Sequence, residues 1–163
     1  MVGRVVEVRF PWGDVIRGPR RPRIDAPAAY DWHGVRYEWR TNLRSGVRAA
    51  FDVERVDTPL PQGLVPRGWS TIDFLAAWTQ AEVMCKLRDV PILLWVKTNP
   101  LQIIDFDVWV KARGSSSVLS WTFSGVCRSG AIVYTFGFEA QVLGAAFRHG
   151  PPPGPESHAT LTK

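Results

Sequence analysis

The sequence has few cysteines and histidines and no long apolar run. It contains only two cysteines, Cys85 and Cys127, and three histidines, none of them spaced as zinc ligands. We expect both cysteines to be buried hydrophobes in a reduced, intracellular protein that needs no cofactor. No apolar run approaches the roughly 18 residues of a membrane-spanning helix, and the charged first strand is not typical of a secretory signal.

Motifs of catalysis are also missing. Gly114 precedes three serines but lacks the lysine and the spacing of a phosphate-binding loop. Asp105 and Asp107 lie two apart on one strand face, where a metal or acid–base site would be possible, but a solvated face beside Lys111 explains them more simply. The sequence therefore predicts a protein that is not an enzyme.

Positive charge is concentrated in the first third of the chain. Residues 1–50 hold ten arginines against five acids, whereas residues 51–163 hold ten basic and ten acidic residues. Prolines and glycines interrupt the densest part and favour an extended basic arm over residues 17–30. Such an arm suits phosphate groups on an anionic membrane or a nucleic acid, unless the arginines merely reflect a genome that prefers them. The predicted contact residues are Arg17, Arg20, Arg21, Arg23, Arg36 and Arg40.

One long helix is predicted, over about residues 70–89. Ser70 and Asp73 have the spacing of a capping box, and Pro91 excludes continuation of the helix. Spacings of three and four residues predict that one stripe is buried and that the opposite side is exposed. The stripe consists of Phe74, Ala77, Trp78, Ala81, Met84 and Cys85, and the exposed side of Thr79, Glu82, Lys86 and Asp89. The apolar run 92–96 that follows is interpreted as a buried strand or turn.

The remaining chain alternates apolar and polar residues, which is typical of half-buried strands. Residues 35–44 and 47–54 flank a Ser45-Gly46 turn and predict a β-hairpin with a wet, charged outer face. Three further strands after the helix predict an antiparallel meander. Together these patterns predict an α+β fold: a single domain over residues 1–148, in which one bent antiparallel sheet of five to seven strands packs its apolar face on the helix. The Pro/Gly-rich residues 149–163 are expected to be a disordered tail.

Four apolar residues outside these stripes are candidates for self-association or for a partner. Leu60, Leu64 and Val65 lie in a proline-rich loop before the helix, and Trp109 falls on the polar face of its strand. A loop with apolar side chains either packs on its own domain or is offered to a partner, and both interpretations stay open.

The order of elements resembles the core of rhabdovirus matrix proteins. A charged strand and a basic loop precede the capped helix at Ser70, whose first turns read Ser-Thr-Ile-Asp-Phe-Leu-Ala-Ala-Trp, and the apolar run Ile92–Val96 and the meandering strands follow. The similarity covers roughly residues 35–143. A long lysine-rich N-terminal tail is missing, and Pro151-Pro152-Pro153-Gly154 lacks the tyrosine of a PPxY budding motif.

The resemblance implies a non-enzymatic protein that self-associates, lies against the anionic inner leaflet and contacts the ribonucleoprotein during virion assembly. Its expected partners are other copies of itself, anionic lipid headgroups and a viral nucleocapsid or RNA. Its expected location is intracellular, peripheral at the membrane, and within the virion. Two other interpretations stay open: a small ligand-binding or enzymatic α+β domain with a pocket between sheet and helix, and a nucleic-acid-binding module.

Overall fold

The computed structural model describes residues 7–10, 13–103, 108–113 and 121–140, and the side chains of residues 13–103 and 124–139. Asp105, Asp107, the side chain of Trp109 and the tail 149–163 lie outside these ranges. Within them, no helix is both long and apolar enough to cross a bilayer. The described elements are β1 (Glu7–Phe10), β2 (Gly13–Arg17), β3 (Ala28–Tyr30), β4 (Arg36–Thr41), β5 (Ala49–Arg55), α1 (Thr71–Arg88), α2 (Ile92–Thr98), β6 (Val108–Arg113), β7 (Trp121–Ser129) and β8 (Ile132–Ala140).

The described strands form two four-stranded antiparallel sheets. The outer sheet has the order β1-β2-β4-β3, and the central sheet has the order β5-β8-β7-β6. The predicted α+β class is therefore confirmed, and so is the meander of the last three strands, but the prediction of one bent sheet of five to seven strands is wrong. The predicted hairpin is wrong as well, because β4 pairs with β2 and β3 whereas β5 pairs with β8. The chain turns at residues 45–46 as predicted, but there it crosses from one sheet to the other.

The two sheets pack face to face through aromatic side chains. Tyr37 and Trp39 of β4 are fully buried against Phe51, Tyr134 and Phe136 of the central sheet. The ring centroids of Trp39 and Phe136 are 5.1 Å apart in an edge-to-face arrangement. β4 and β5 alternate apolar and polar residues because their apolar faces are stacked on each other. The same alternation predicted a hairpin, in which the two strands would lie side by side.

Close approach within the outer sheet depends on a glycine. Gly13 begins β2 at a φ of +136°, a conformation that side chains with a Cβ rarely adopt. A Cβ there would stand 2.5 Å from the carbonyl oxygen of Arg40 and 2.9 Å from Nε1 of Trp39. Glycine therefore allows β2 to lie directly against β4.

The other face of the central sheet carries α1. Ser70 caps the helix by accepting from the backbone N–H of Asp73, whose carboxylate in turn accepts from the N–H of Ser70, so the predicted capping box is confirmed. Asp89 ends the helix in the left-handed conformation, with φ of 53°. The predicted bounds of 70–89 thus agree with the observed ones within a residue.

The predicted faces of this helix were partly wrong. Thr79, expected in solvent, is fully buried against the central sheet, whereas Trp78, expected in the core, is half-buried. Buried residues surround most of the helix because it lies between the sheet, the loop before it and α2. They are Phe74, Leu75, Ala76, Ala77, Thr79, Ala81, Val83, Met84, Cys85 and Leu87.

The apolar run after α1 is a short helix, not the buried strand or turn predicted. None of the residues of α2 is fully buried, and the side chains of Leu93 and Leu94 are more than half exposed. Trp95 turns towards α1, where it lines a cavity of about 310 Å³ with Ala77 and Ala81. The five residues 92–96 are apolar throughout, and such a short apolar run does not reveal whether its period is that of a strand or of a helix.

Candidate functional site

The basic arm is folded against the outer sheet. Arg17 belongs to β2, residues 28–30 form β3, and the backbone N–H of Trp39 donates to the carbonyl of Pro27 at 2.9 Å. The prediction of an extended arm is therefore correct for its two ends, which are strands, whereas its middle part, residues 18–27, consists of bends and a turn. The strands β2 and β3 fix the two ends of that middle part.

A buried carboxylate ties the arm to the sheet. Glu38 is fully buried, so the prediction of a wet outer face on β4 is wrong. Its Oε1 accepts from the backbone N–H of Arg23 at 2.9 Å and from Nε of Arg36 at 3.0 Å. Burying a carboxylate is costly unless it is paired. These contacts pair Oε1, whereas Oε2 is buried and has no hydrogen bond among the described residues. Sequence reasoning missed this role because the alternation of β4 places Glu38 opposite the aromatic core.

Arg36 is occupied by the protein's own acceptors. Its guanidinium contacts Glu38, donates to the Tyr30 hydroxyl at 3.0 Å and to the carbonyl of Arg23 at 3.2 Å. The hydrogen bonds to Tyr30 and Glu38 raise the pKa of Arg36 above its usual value. The structure therefore gives Arg36 a part in holding the arm in place, and few of its donors are left for the phosphate contact predicted from the sequence.

Arg17 points away from the rest of the arm. It is the cross-strand partner of Tyr37, and its guanidinium carbon lies 5.9 Å from the centroid of that ring. Because Tyr37 faces the central sheet, Arg17 lies on the inner face of the outer sheet, at its edge. The structure thus separates Arg17 from the three arginines that follow it.

The middle of the arm presents a compact cationic surface, which we call the arginine tip and define as residues 20–24. Arg20, Arg21 and Arg23 are exposed, and among the described residues their side chains form no ion pair. Ile24 between them and Asp25 is completely exposed, which is unusual for a large aliphatic side chain. Three of the predicted contact residues therefore share one surface, which also includes the apolar side chain of Ile24.

A groove of about 560 Å³ adjoins the arginine tip. It is lined by the arm from Arg23 to Pro27, by the end of β4 and by the connection that leads to β5. Its arginines are Arg23, Arg40, Arg44 and Arg48, and its acid is Asp25. Arg44 and Arg48 were not among the predicted contact residues, although arginines recur every four residues at positions 40, 44 and 48. The fold was needed to show that the arm closes over them.

The proposed partner loop packs largely on its own domain. Leu60 and Val65 contact the cluster that α1 forms with Val126 and Val133, whereas Leu64 is 39 % exposed. Of the loop residues predicted for self-association, Leu64 alone presents a substantial apolar surface.

A second apolar surface was not predicted and lies on the helix side of the central sheet. Leu93 and Leu94 are 57 % and 55 % exposed, and Ile103 nearby in sequence is 59 % exposed. Because the arm covers the outer sheet and α2 packs on α1, this surface and the arginine tip lie on opposite sides of the central sheet. Sequence reasoning missed it because it assigned residues 92–96 to the core.

The chemistry of other candidate residues is limited. Cys85 and Cys127 are buried, and burial raises the pKa of the Cys85 thiol to about 11, which opposes formation of the nucleophilic thiolate. In the ranges given above, no three His, Cys, Asp or Glu side chains are grouped closely enough to hold a metal ion.

Acidic residues gather between β5 and α1. Burial raises the pKa of Glu54 to about 7, and Thr58 donates to its carboxylate at 2.9 Å. Burial likewise raises the pKa of Asp52, whose carboxylate accepts from Nζ of Lys86 at 2.8 Å. These groups face the helix and not the groove.

Searches of protein-family models, curated proteins and solved structures gave no match to this chain. The resemblance to rhabdovirus matrix proteins therefore stays a prediction from the order and pattern of the elements.

Proposed function

We propose that this chain is a structural assembly protein, similar in role to rhabdovirus matrix proteins, that self-associates and bridges an anionic membrane surface and a ribonucleoprotein. In this role it is peripheral at the inner leaflet and becomes part of the virion. The proposal rests on the resemblance given above and on the surfaces that the fold presents.

The arginine tip is the observation that carries the membrane contact. Arg20, Arg21 and Arg23 supply guanidinium groups for lipid phosphates, and each cation near an anionic surface contributes about 1 kcal/mol. Ile24 is completely exposed beside them and can enter the apolar boundary of the bilayer. A surface that combines cationic groups with an exposed aliphatic side chain is better suited to contact with lipid than to full exposure to water.

The opposite side of the central sheet supports a bridging role. Leu93 and Leu94 leave an apolar surface there that a second copy of the chain or a protein of the ribonucleoprotein can cover. A protein that joins two assemblies needs two separated surfaces of different chemistry, and the arginine tip and α2 meet this requirement.

Flotation with vesicles tests the membrane contact. We expect the protein to float with vesicles that contain phosphatidylserine and not with purely zwitterionic vesicles. Binding should weaken between about 0.1 M and about 1 M salt, where the Debye length falls from about 10 Å to about 3 Å. Replacing Arg20 and Arg21 by Ser should weaken binding roughly 30-fold, because two contributions of about 1 kcal/mol are lost.

A matched control removes two exposed arginines elsewhere. Arg67 lies in the loop before α1 and Arg128 near the end of β7, so R67S/R128S lowers the net charge equally but leaves the tip intact. Equal weakening by both double variants would overturn the role of the tip. Ile24→Ser should remove the part of binding that persists at high salt.

A further inference from the structure

The groove beside the arm concentrates positive charge in a recess. Its lining carries four arginines and a single acid, Asp25. Two of these arginines also have an acidic neighbour outside the lining, Asp89 for Arg48 and Glu38 for Arg40. Its volume of about 560 Å³ falls within the range of about 300–1,000 Å³ that is typical of small-ligand sites. Charge of one sign between walls of low dielectric attracts anions more strongly than the same charge on a flat surface.

Separate parts of the fold hold these arginines around the groove. The backbone of Arg23 is fixed from both sides, since its N–H donates to Glu38 at 2.9 Å and its carbonyl accepts from Arg36 at 3.2 Å. On the other wall, Nη2 of Arg48 donates to Asp89 at 2.7 Å and to the carbonyl of Lys86 at 3.3 Å, both at the end of α1. The groove is therefore formed before a ligand arrives, which lowers the entropy cost of binding.

Arg40 has donors that its protein contacts do not fully use. Its Nη2 is 3.8 Å from Oε2 of Glu38, which is too long for a hydrogen bond. Its Nε is buried and has no hydrogen-bond partner among the described residues. A buried donor without an acceptor is unfavourable, so a small rotation of the guanidinium towards an anion in the groove would be stabilising.

We infer that this groove binds a small ligand that carries two or more phosphate groups, either a soluble polyphosphate or a polyphosphorylated lipid headgroup. A single phosphate is held by one or two guanidinium groups, whereas four arginines around one recess match several linked phosphates. The only aromatic residue of the lining, Trp39, is fully buried and offers no face on which a base can stack. The site shares Arg23 with the arginine tip but differs from it in Arg40, Arg44 and Arg48, which are not part of the tip.

Calorimetric titration with inorganic triphosphate and with orthophosphate tests the site in the whole chain. We expect triphosphate to bind at least about tenfold more tightly than orthophosphate, because it reaches more guanidinium groups. The variant R44Q/R48Q should bind triphosphate on the order of 100-fold more weakly, and R67Q/R128Q, which removes the same charge elsewhere, should bind as the parent does.

Three further measurements make the result decisive. The variant R44K/R48K keeps the charge but loses bidentate geometry, so an affinity between those of the parent and R44Q/R48Q supports the site. Thermal melting of each variant shows whether it is folded, and R44K/R48K serves as the test if R44Q/R48Q is not. R20S/R21S, which weakens the arginine tip, should bind triphosphate as the parent does, so failure of the groove and failure of the proposed membrane contact can be told apart.

The source of the phosphates follows from competition. Vesicles that contain phosphatidylinositol bisphosphate should displace triphosphate if the ligand is a lipid headgroup, and the lack of displacement identifies a soluble polyphosphate. Equal binding of triphosphate by the parent and R44Q/R48Q would overturn the inference. So would binding of single-stranded RNA by the parent without binding of triphosphate or of these vesicles.

Discussion

The two faces of the central sheet are packed in different ways. The face towards the outer sheet is lined with rings, among them Phe51, Tyr134 and Phe136, and the described contacts across it are almost entirely apolar. The face towards α1 mixes small apolar residues with buried polar groups, such as the Thr79 and Thr135 hydroxyls, which are 2.7 Å apart. The aromatic face owes its stability to buried area, whereas hydrogen bonds also fix the position of the helix on the other face.

The largest effect is expected on the aromatic face. Trp39→Ala should lower the free energy of unfolding by about 3–5 kcal/mol, because it empties a fully buried site against Phe136. Trp78→Ala is the matched change on the helix side, where the ring is half-buried and stacks on Phe74. It should cost about half as much, as measured by chemical denaturation. An equal or larger loss from Trp78→Ala would contradict the difference between the two faces.

A moderate effect is expected from the hydroxyl pair on the helix face. Thr79→Val should cost about 1–2 kcal/mol, because it leaves the hydroxyl of Thr135 buried without its partner. The double variant T79V/T135V should lose less than the sum of the two single losses, since no hydroxyl is then left unpaired. Additive losses in a double-mutant cycle would show that the two hydroxyls do not depend on each other.

The smallest effect is a dependence on pH, and it also belongs to the helix face. Burial raises the pKa of Glu54 to about 7 in the folded protein, whereas an unfolded glutamate titrates near 4.3. The folded state therefore holds this proton more tightly, and the resulting stability is present below about pH 4.3 and is lost as the pH rises to about 7.

Glu54→Gln removes this titration and keeps an acceptor for Thr58. Because Glu54 is only partly buried and solvent screens its charge, the variant should raise the free energy of unfolding by about 1 kcal/mol at pH 8, or the melting temperature by about 2–4 °C, and change little near pH 4. Melting curves of both proteins across this range provide the measurement. A variant that is stabilised equally at pH 4 and pH 8 would rule out Glu54 as the source.

The difference between the two faces also explains which parts of the fold were predictable. Short-range patterns gave the α1 bounds and the capping box at Ser70, which depend on residues within a few positions of one another. They also gave the final meander, in which each strand pairs with the next one in the sequence. The second sheet was not predictable in the same way. The alternation of β4 and β5 is equally compatible with strands that lie side by side and with strands that are stacked, and long-range packing decides between them.

The candidate site was partly predictable for a related reason. Charge density alone indicated Arg20, Arg21 and Arg23, and these three are exposed. Charge density could not indicate that Arg17 would lie over the ring of Tyr37 or that Arg36 would donate a hydrogen bond to Glu38. Which arginines remain accessible depends on acceptors that are distant in sequence, and only the folded chain shows them.

By itself, the sequence determined the α+β class, the main helix and the basic character of the N-terminal third, since these follow from local periodicity, capping and charge. The tertiary structure decided that two sheets pack face to face, that the arm folds over Glu38 and that α2 stays exposed. The physical reason is burial. Whether a polar residue such as Glu38 or Thr79 can enter the interior depends on partners brought to it by the fold, and whether an apolar run such as 92–96 is covered depends on what packs over it.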